Sequence, residues 1–173
     1  MPDRPSSHDV SPPGIEPAAA ASKKLAGQAA LSIYLLGTFQ VLVNERMVPA
    51  SAWHGRKAAE LVKVLALEPG HRLHREQVME LLWPEHDPDL AANAFYKALH
   101  HARRVLEPGL AQGRESSFLH LQGELVVLTA PGVLWVDAEA FERAAAEARQ
   151  RRTIPAYEAA LALYRGDLLP EDR

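Results

Sequence analysis

The sequence lacks cysteine altogether: none occurs among its 173 residues. A disulfide framework, a thiolate nucleophile, a zinc finger and an iron–sulfur cluster are therefore excluded. Nothing in the sequence points to an oxidising compartment, so the expected location is the cytoplasm.

Long hydrophobic runs and an excess of basic charge are also missing. The longest apolar runs, around 31–36 and 125–128, are far shorter than the roughly 20 residues that span a bilayer, and no signal peptide is recognisable. A membrane partner is therefore not expected. The chain carries 19 Lys and Arg against 22 Asp and Glu, for a net charge of −3. This balance alone does not indicate a nucleic-acid partner.

Signatures of catalysis are scarce as well. The sequence has no glycine-rich phosphate loop and no Gly-x-Ser-x-Gly elbow, so we expect no enzyme, no catalytic residues and no cofactor. Histidines at 71, 74, 100 and 101 invite a metal interpretation. However, zinc needs three or four converging ligands, and adjacent histidines on a helix point about 100° apart. No metal site is therefore expected.

Hydrophobic residues make up 47% of the chain, which is typical of a globular protein. The N-terminus differs, because it combines prolines with the run Ala18–Ala21 and has few large apolar side chains. Such a segment cannot bury enough surface to offset its ordering entropy. Residues 1–29 are therefore predicted to form a flexible leader.

Residues 30–131 are predicted to form one domain. A β-rich stretch begins at Leu31 and turns at 44–46, giving an N-terminal antiparallel hairpin or small sheet. Apolar residues then recur at helical spacing in three segments that end at Pro or Gly. The three predicted helices span Arg56–Glu68, Arg75–Trp83 and Pro88–Glu107. A β-hairpin follows them over Phe118–Leu128 and turns at 122–124.

Residues 132–173 are predicted to form an antiparallel helical hairpin, like the start of a tetratricopeptide-type array. Its helices are expected over Ala138–Arg152, with Asp137 as the N-cap residue, and over Ile154–Arg165. Two helices alone make a poor core. Either the pair docks on the preceding domain, or the chain is cut from something longer.

The third predicted helix carries the strongest functional signal. Its apolar stripe is expected to include Leu90, and its other face holds residues that can reach phosphates and base edges: Asn93, Tyr96, Lys97, His100, Arg103 and Arg104. Two helices, a longer basic helix and a β-hairpin form the order of a winged helix-turn-helix, in which the third helix enters the major groove. The alternative is an ordinary solvated face of an amphipathic helix. The predicted class is therefore α+β, a winged helix-turn-helix followed by a helical hairpin.

Four separated segments carry a resemblance to a known family. The stretch 92–108, preceded by Glu80-Leu81-Leu82-Trp83-Pro84, resembles the recognition-helix region of OmpR-type winged-helix regulators. More narrowly, it resembles the SARP-type activators, in which a bacterial transcriptional activation domain follows. The family's first strand is similar to residues 35–41. The start of its activation domain is similar to residues 135–142 and 160–169. The resemblance covers about residues 31–172.

This resemblance implies a transcription factor that reads direct repeats in double-stranded promoter DNA, helped by a second protomer or by RNA polymerase. By position, its DNA face is Tyr96, Lys97, His100, Arg103 and Arg104. Two departures weaken the match: His101 stands where the family commonly has arginine, and the hairpin tip carries Glu124 and no arginine. The family's activation domain is usually longer, so the chain is expected to be truncated after two helices.

A different class of function remains open. The helical hairpin could bind a partner protein while the preceding domain serves only as its scaffold and contacts no DNA. The exposure of the third helix separates the two hypotheses. DNA binding requires an exposed and locally positive face at 93–104, whereas burial of that face against residues 138–165 would favour the interaction module.

Overall fold

The structure, a computed structural model, describes residues 24–172. A mixed sheet lies at the centre of this region and is formed by strands β1 (Leu31–Tyr34), β2 (Gln40–Val43), β3 (Arg46–Met47) and β7 (Leu134–Val136). Its outer strand β3 is joined to β2 by a two-residue turn at Asn44 and Glu45, both with positive φ. Strand β7 pairs with β1 in parallel, whereas the β1–β2 and β2–β3 pairs are antiparallel. In spatial order the strands are β3, β2, β1 and β7.

Three helices and a second sheet complete the first half of the fold, which is α+β as predicted. The helices are α1 (Arg56–Leu67), α2 (Arg75–Leu82) and α3 (Pro88–Leu106). Each lies within a residue or two of its predicted span, because Pro and Gly mark the ends. The second sheet has the order β4 (Arg72–His74), β6 (Leu125–Leu128), β5 (Leu119–Gln122).

Strand β4 was not predicted. It has three residues, too few for an alternating pattern to be recognised, and it exists because its backbone pairs with β6 in the register Arg72↔Val127. The β5–β6 hairpin itself was predicted, and its strands are joined through Gly123 and Glu124.

The main core lies between α1, α3 and the two sheets. Phe95 and Leu99 of α3 are buried with Leu61 and Leu65 of α1, and each such side chain stabilises the fold by about 1.5–3 kcal/mol. The sequence-based expectation for Leu90 was wrong, since this side chain is 56% exposed. At 100° per residue, Leu90 lies about 130° from the centre of the buried stripe.

The C-terminal helices α4 (Asp137–Arg151) and α5 (Ile154–Leu161) pack on the other face of the central sheet. Alternate residues of a strand point to opposite faces. Leu31 and Ile33 of β1 therefore enter the main core, while Tyr34 joins Trp135 of β7 in a second cluster with alanines of α4 and α5. The hairpin therefore docks on the preceding residues.

The predicted division at residues 131 and 132 stays a prediction, although the central sheet extends across it. Strand β7 follows that position and yet belongs to the same sheet as β1. The C-terminal tail adds to this junction, because Asp172 accepts two hydrogen bonds from Nζ of Lys63 on α1, at 3.0 and 2.7 Å. The pairing of β7 with β1 was not predicted, because a three-residue edge strand has no sequence signature of its partner.

The predicted leader ends too late. Residues 24–28 are helical, and Ala29 is buried in the second cluster with Trp135. Of this segment only Ala26 and Ala29 contact the second cluster, and side chains this small do not stand out in the composition of the sequence. By contrast, Lys24, Leu25 and Gln28 are exposed. The rest of the predicted leader, 1–23, lies outside the described residues.

Helix α5 is shorter than predicted, because it ends at Leu161 rather than at Arg165. After α5, the chain returns to the segment that follows β1. There the backbone N–H of Gly37 donates a hydrogen bond to the carbonyl of Asp167 at 2.8 Å. Gly166 has φ of 150° and a Cβ added to it would lie 3.3 Å from the Cα of Gly37. Two glycines therefore permit the close approach of the tail to the sheet.

Replacement Gly166→Ala is expected to lower the free energy of unfolding by about 1–3 kcal/mol, because alanine resists this φ and meets the Gly37 backbone. Urea denaturation followed by circular dichroism measures the change. Gly109→Ala is the matched control, since its Cβ meets nothing within 4 Å. Equal stability of the two variants would contradict the expectation.

Candidate nucleic-acid interface

The start of helix α3 is defined by an N-cap residue and a proline, and one long face of the helix is exposed to solvent. Asp87 caps it, accepting a hydrogen bond from the backbone N–H of Leu90 at 3.0 Å, and Pro88 occupies the first helical position. This confirms the predicted start signal. Opposite the buried stripe, six of the seven candidate side chains are exposed: Asn93, Tyr96, Lys97, His100, His101 and Arg104.

The charge of this helix is locally positive although the whole chain is slightly acidic. Lys97, Arg103 and Arg104 stand against one acid within its span, Asp89. Glu107 follows the helix as its C-cap residue, and its carboxylate accepts hydrogen bonds from N and Oγ of Ser117 at 2.9 and 3.2 Å. The acid at the helix end is therefore used to hold the loop that leads into β5.

Arg103 differs from the other candidates, because it is half-buried and tied to β5. Its Nε donates to the carbonyl of Leu119 at 2.8 Å. Burial lowers the pKa of Arg103 below its ordinary value, and nearby Glu115 partly opposes that shift. Arg103 lies about 90° from the centre of the buried stripe, which explains why it joins α3 to the sheet instead of extending into solvent.

Arg104 is exposed and bonded to the loop after the helix. One of its guanidinium nitrogens, Nη1, donates to the carbonyl of Leu110 at 2.8 Å. Because a guanidinium has five N–H donors, this bond orients the group without using up its capacity to bind an anion.

Arg75 is a member of this surface that sequence reasoning missed. Its Nη1 donates to the hydroxyl of Tyr96 at 3.0 Å, and its Nε forms an ion pair with Glu124 at the tip of the hairpin. Glu124, the acid that weakens the match at the hairpin tip, is therefore paired with a cation. No local pattern predicts this link between Arg75 and Glu124, because it depends on where the β5–β6 hairpin folds.

Outside α3, His71 and His74 make contacts that hold the structure together. The Nδ1 atom of His74 accepts a hydrogen bond from Glu76 N at 3.4 Å and so caps α2, while His71 pairs with Glu139 at 3.5 Å. On α3, the rings of His100 and His101 are 5.8 Å apart between centroids. Among residues 24–172, no three His, Asp or Glu side chains are grouped so that they could hold a metal ion.

Helix α3 is not covered by the C-terminal hairpin, because α4 and α5 lie on the opposite face of the central sheet. The arrangement thus leaves a polar, cationic helix face beside a β-hairpin. In the part of the chain that the structure describes, no helix is both long and apolar enough to cross a bilayer.

Comparison with known proteins identifies a shared fold. The structure is similar to that of Mycobacterium tuberculosis EmbR in complex with a low-affinity phosphopeptide, with a TM-score of 0.58 and 22% sequence identity. The match covers 82% of this chain and 38% of the EmbR chain, so this chain spans well under half of the EmbR length. No protein-family model matches the sequence, and no curated protein does so.

Proposed function

We propose that this chain is a sequence-specific DNA-binding regulator of transcription, an activator of the SARP kind with a winged helix-turn-helix. Helix α3 enters the major groove of promoter DNA, and the β5–β6 hairpin lies beside it as the wing. The observation that carries the proposal is the exposed face of α3, with Lys97 and Arg104 opposite its buried stripe. The fold shared with EmbR, a regulator of the SARP family, supports it.

The roles of the individual side chains follow from their placement. Lys97 and Arg104 supply exposed cations for phosphates or guanine edges, and Asn93 and His100 supply shorter polar contacts. His101 is exposed on the flank of this face. Arg103 acts mainly by holding α3 against β5. Arg75 orients Tyr96 and neutralises Glu124, so that the hairpin tip can approach the DNA backbone.

Selection of bound duplexes from a random pool tests the proposal, since it reports binding and half-site spacing together. The expected outcome is enrichment of a repeated motif whose copies lie about 10–11 base pairs apart, one helical turn. Recovery of unrelated sequences only, from a folded protein, would contradict sequence-specific binding.

Protein contact through the C-terminal hairpin is a second candidate function, favoured by the exposed apolar face of α5. Ile154 is 75% exposed and Leu161 is 66% exposed, which is unusual for side chains of this size on a short helix. On promoter repeats this face would contact a second protomer or RNA polymerase. As a module that binds no DNA, the chain would use the same face alone.

Replacement Leu161→Asp is expected to reduce cooperative binding of two protomers to a double repeat by roughly tenfold, while binding to a single repeat stays unchanged. Analytical ultracentrifugation with fluorescent duplexes measures both. Exposed Glu158→Asp on the same helix is the control. If wild-type protein self-associates through this face and binds neither duplex, the interaction module is the correct interpretation.

A further inference from the structure

An open cavity of about 750 Å³ lies beside the second half of α3. Its other walls are the loop 110–115 and strand β5. Glu115 is the one acidic residue in the lining. Each of the three elements contributes basic or imidazole side chains, which are His100, Arg103, Arg104, Arg114 and His120. A concave site with this composition favours an anion.

The two arginines of α3 are held in place at the wall of the cavity by backbone carbonyls. Arg103 donates Nε to Leu119 and Arg104 donates Nη1 to Leu110, each at 2.8 Å. These bonds occupy one donor of each guanidinium and leave the group preorganised, which lowers the entropy lost when it binds a ligand.

The state of Arg114 and the partial burial of Arg103 indicate that the cavity can accept an anion in addition to the nearby carboxylate of Glu115. Within residues 24–172, the Arg114 side chain makes no hydrogen bond and no ion pair, although it borders the cavity. Burial lowers the pKa of Arg103, so its charged form is held there at a cost that a bound anion would offset. Guanidinium groups match phosphate in particular, since they bind its oxygens in bidentate fashion.

We propose that this cavity is a phosphate-binding site that, on promoter DNA, takes a backbone phosphodiester at the edge of the groove occupied by α3. The placement on DNA rests on the proposed function, whereas the phosphate chemistry does not. His100 belongs both to the exposed face of α3 and to the cavity lining. The loop 110–115 thereby extends the DNA footprint beyond the helix, with Arg114 as its contact residue.

The DNA arm of the test compares Arg114→Gln with Arg143→Gln, an exposed arginine of α4 that lies away from the cavity. Fluorescence anisotropy with a duplex of about 20 base pairs, over a range of salt, gives affinity and salt slope. Arg114→Gln is expected to weaken binding roughly fivefold and to reduce the slope of log K against log salt by about 0.9, with sequence preference unchanged. The control should match wild type.

The phosphate arm follows the Nε resonances of ¹⁵N-labelled protein during titration with inorganic phosphate, against sodium chloride at equal ionic strength. Saturable shifts at Arg103 and Arg114 that vanish in Arg114→Gln are expected. If the wild type binds DNA and Arg114→Gln matches it in affinity and slope, the placement on DNA is overturned. If the wild type binds no DNA, the proposed function fails, and saturable shifts then support a free phosphorylated ligand. Absence of such shifts in that case overturns the site itself.

Discussion

Replacing Lys97 and Arg104 together by alanine is expected to weaken promoter binding about 100-fold. Each side chain is exposed on α3 opposite the buried stripe, where under the proposed function it would reach a phosphate or a base edge. A good contact of this kind is worth about 1–3 kcal/mol, and tenfold in affinity corresponds to about 1.4 kcal/mol. Neither side chain belongs to the core, so the fold should survive.

Salt dependence separates this effect from general unfolding. Each phosphate contact contributes about 0.9 to the slope of log K against log salt, so the double variant should lose about 1.8 if both cations contact phosphate. Anisotropy titrations at several salt concentrations measure the slope, and circular dichroism verifies the fold.

The matched control is Arg143→Ala with Arg149→Ala, which removes the same charge from the exposed side of α4. It should bind nearly as tightly as wild type. Equal losses in both double variants would mean that only net charge matters, and an unchanged affinity of the α3 variant would exclude α3 as the DNA-binding helix.

Removing the carboxylate of Asp137 is expected to have the largest effect on stability. Asp137 was predicted to cap α4, and that prediction was wrong: it is the first residue of the helix and is almost fully buried. Its carboxylate accepts hydrogen bonds from the backbone N–H groups of Leu35 at 2.7 Å and Leu36 at 3.1 Å. It therefore joins the C-terminal hairpin to the end of β1.

Replacement Asp137→Ala leaves both buried N–H groups without their partner, so we expect a loss of about 3 kcal/mol of unfolding free energy. Asp137→Asn should lose less, since one oxygen can still accept a hydrogen bond. Urea denaturation followed by tryptophan fluorescence measures the change. Glu142→Ala, which removes an exposed carboxylate from the same helix, should leave stability unchanged.

The pH dependence of this contribution has a definite sign. Burial raises the pKa of Asp137 above its ordinary value of 3.8, and the hydrogen bonds from Leu35 and Leu36 only partly oppose this. The folded state therefore binds the proton more tightly than the unfolded state, and the associated stability is complete below pH 3.8 and declines as the pH rises through the folded value. The stability difference between wild type and Asp137→Asn should shrink over that window. A difference that grows with pH would contradict this assignment.

Local patterns predicted the helices well. For α3, an N-cap residue followed by proline, an apolar stripe and a terminal Pro-Gly suffice to place both ends and the exposed face, because all these signals act within a few residues of one another. The same patterns failed at Leu90, which was expected on the buried stripe of α3 and is 56% exposed. Helical spacing gives the direction of a side chain, but it does not say how wide the covered stripe will be.

The candidate site was predicted only in part. Periodicity brought Lys97, His100 and Arg104 to one face, and the structure agrees. It also grouped Arg103 with them, although a carbonyl of β5 holds that side chain half-buried. Arg75 and Arg114 were not predicted as members of the site. No residue near them in the sequence indicates that the hairpin tip lies beside Arg75 or that a cavity lies beside Arg114.

The sequence by itself determined the α+β class, the order of helices α1 to α5 and the cationic face of α3, because propensity, periodicity and capping are local properties. Only the tertiary structure decided that β7 closes the central sheet, that Asp137 binds the backbone just after β1 and that basic side chains of α3, β5 and the loop meet around one cavity. These contacts join residues far apart in the chain. Their formation depends on how the cores bury apolar surface together, which no short window of sequence records.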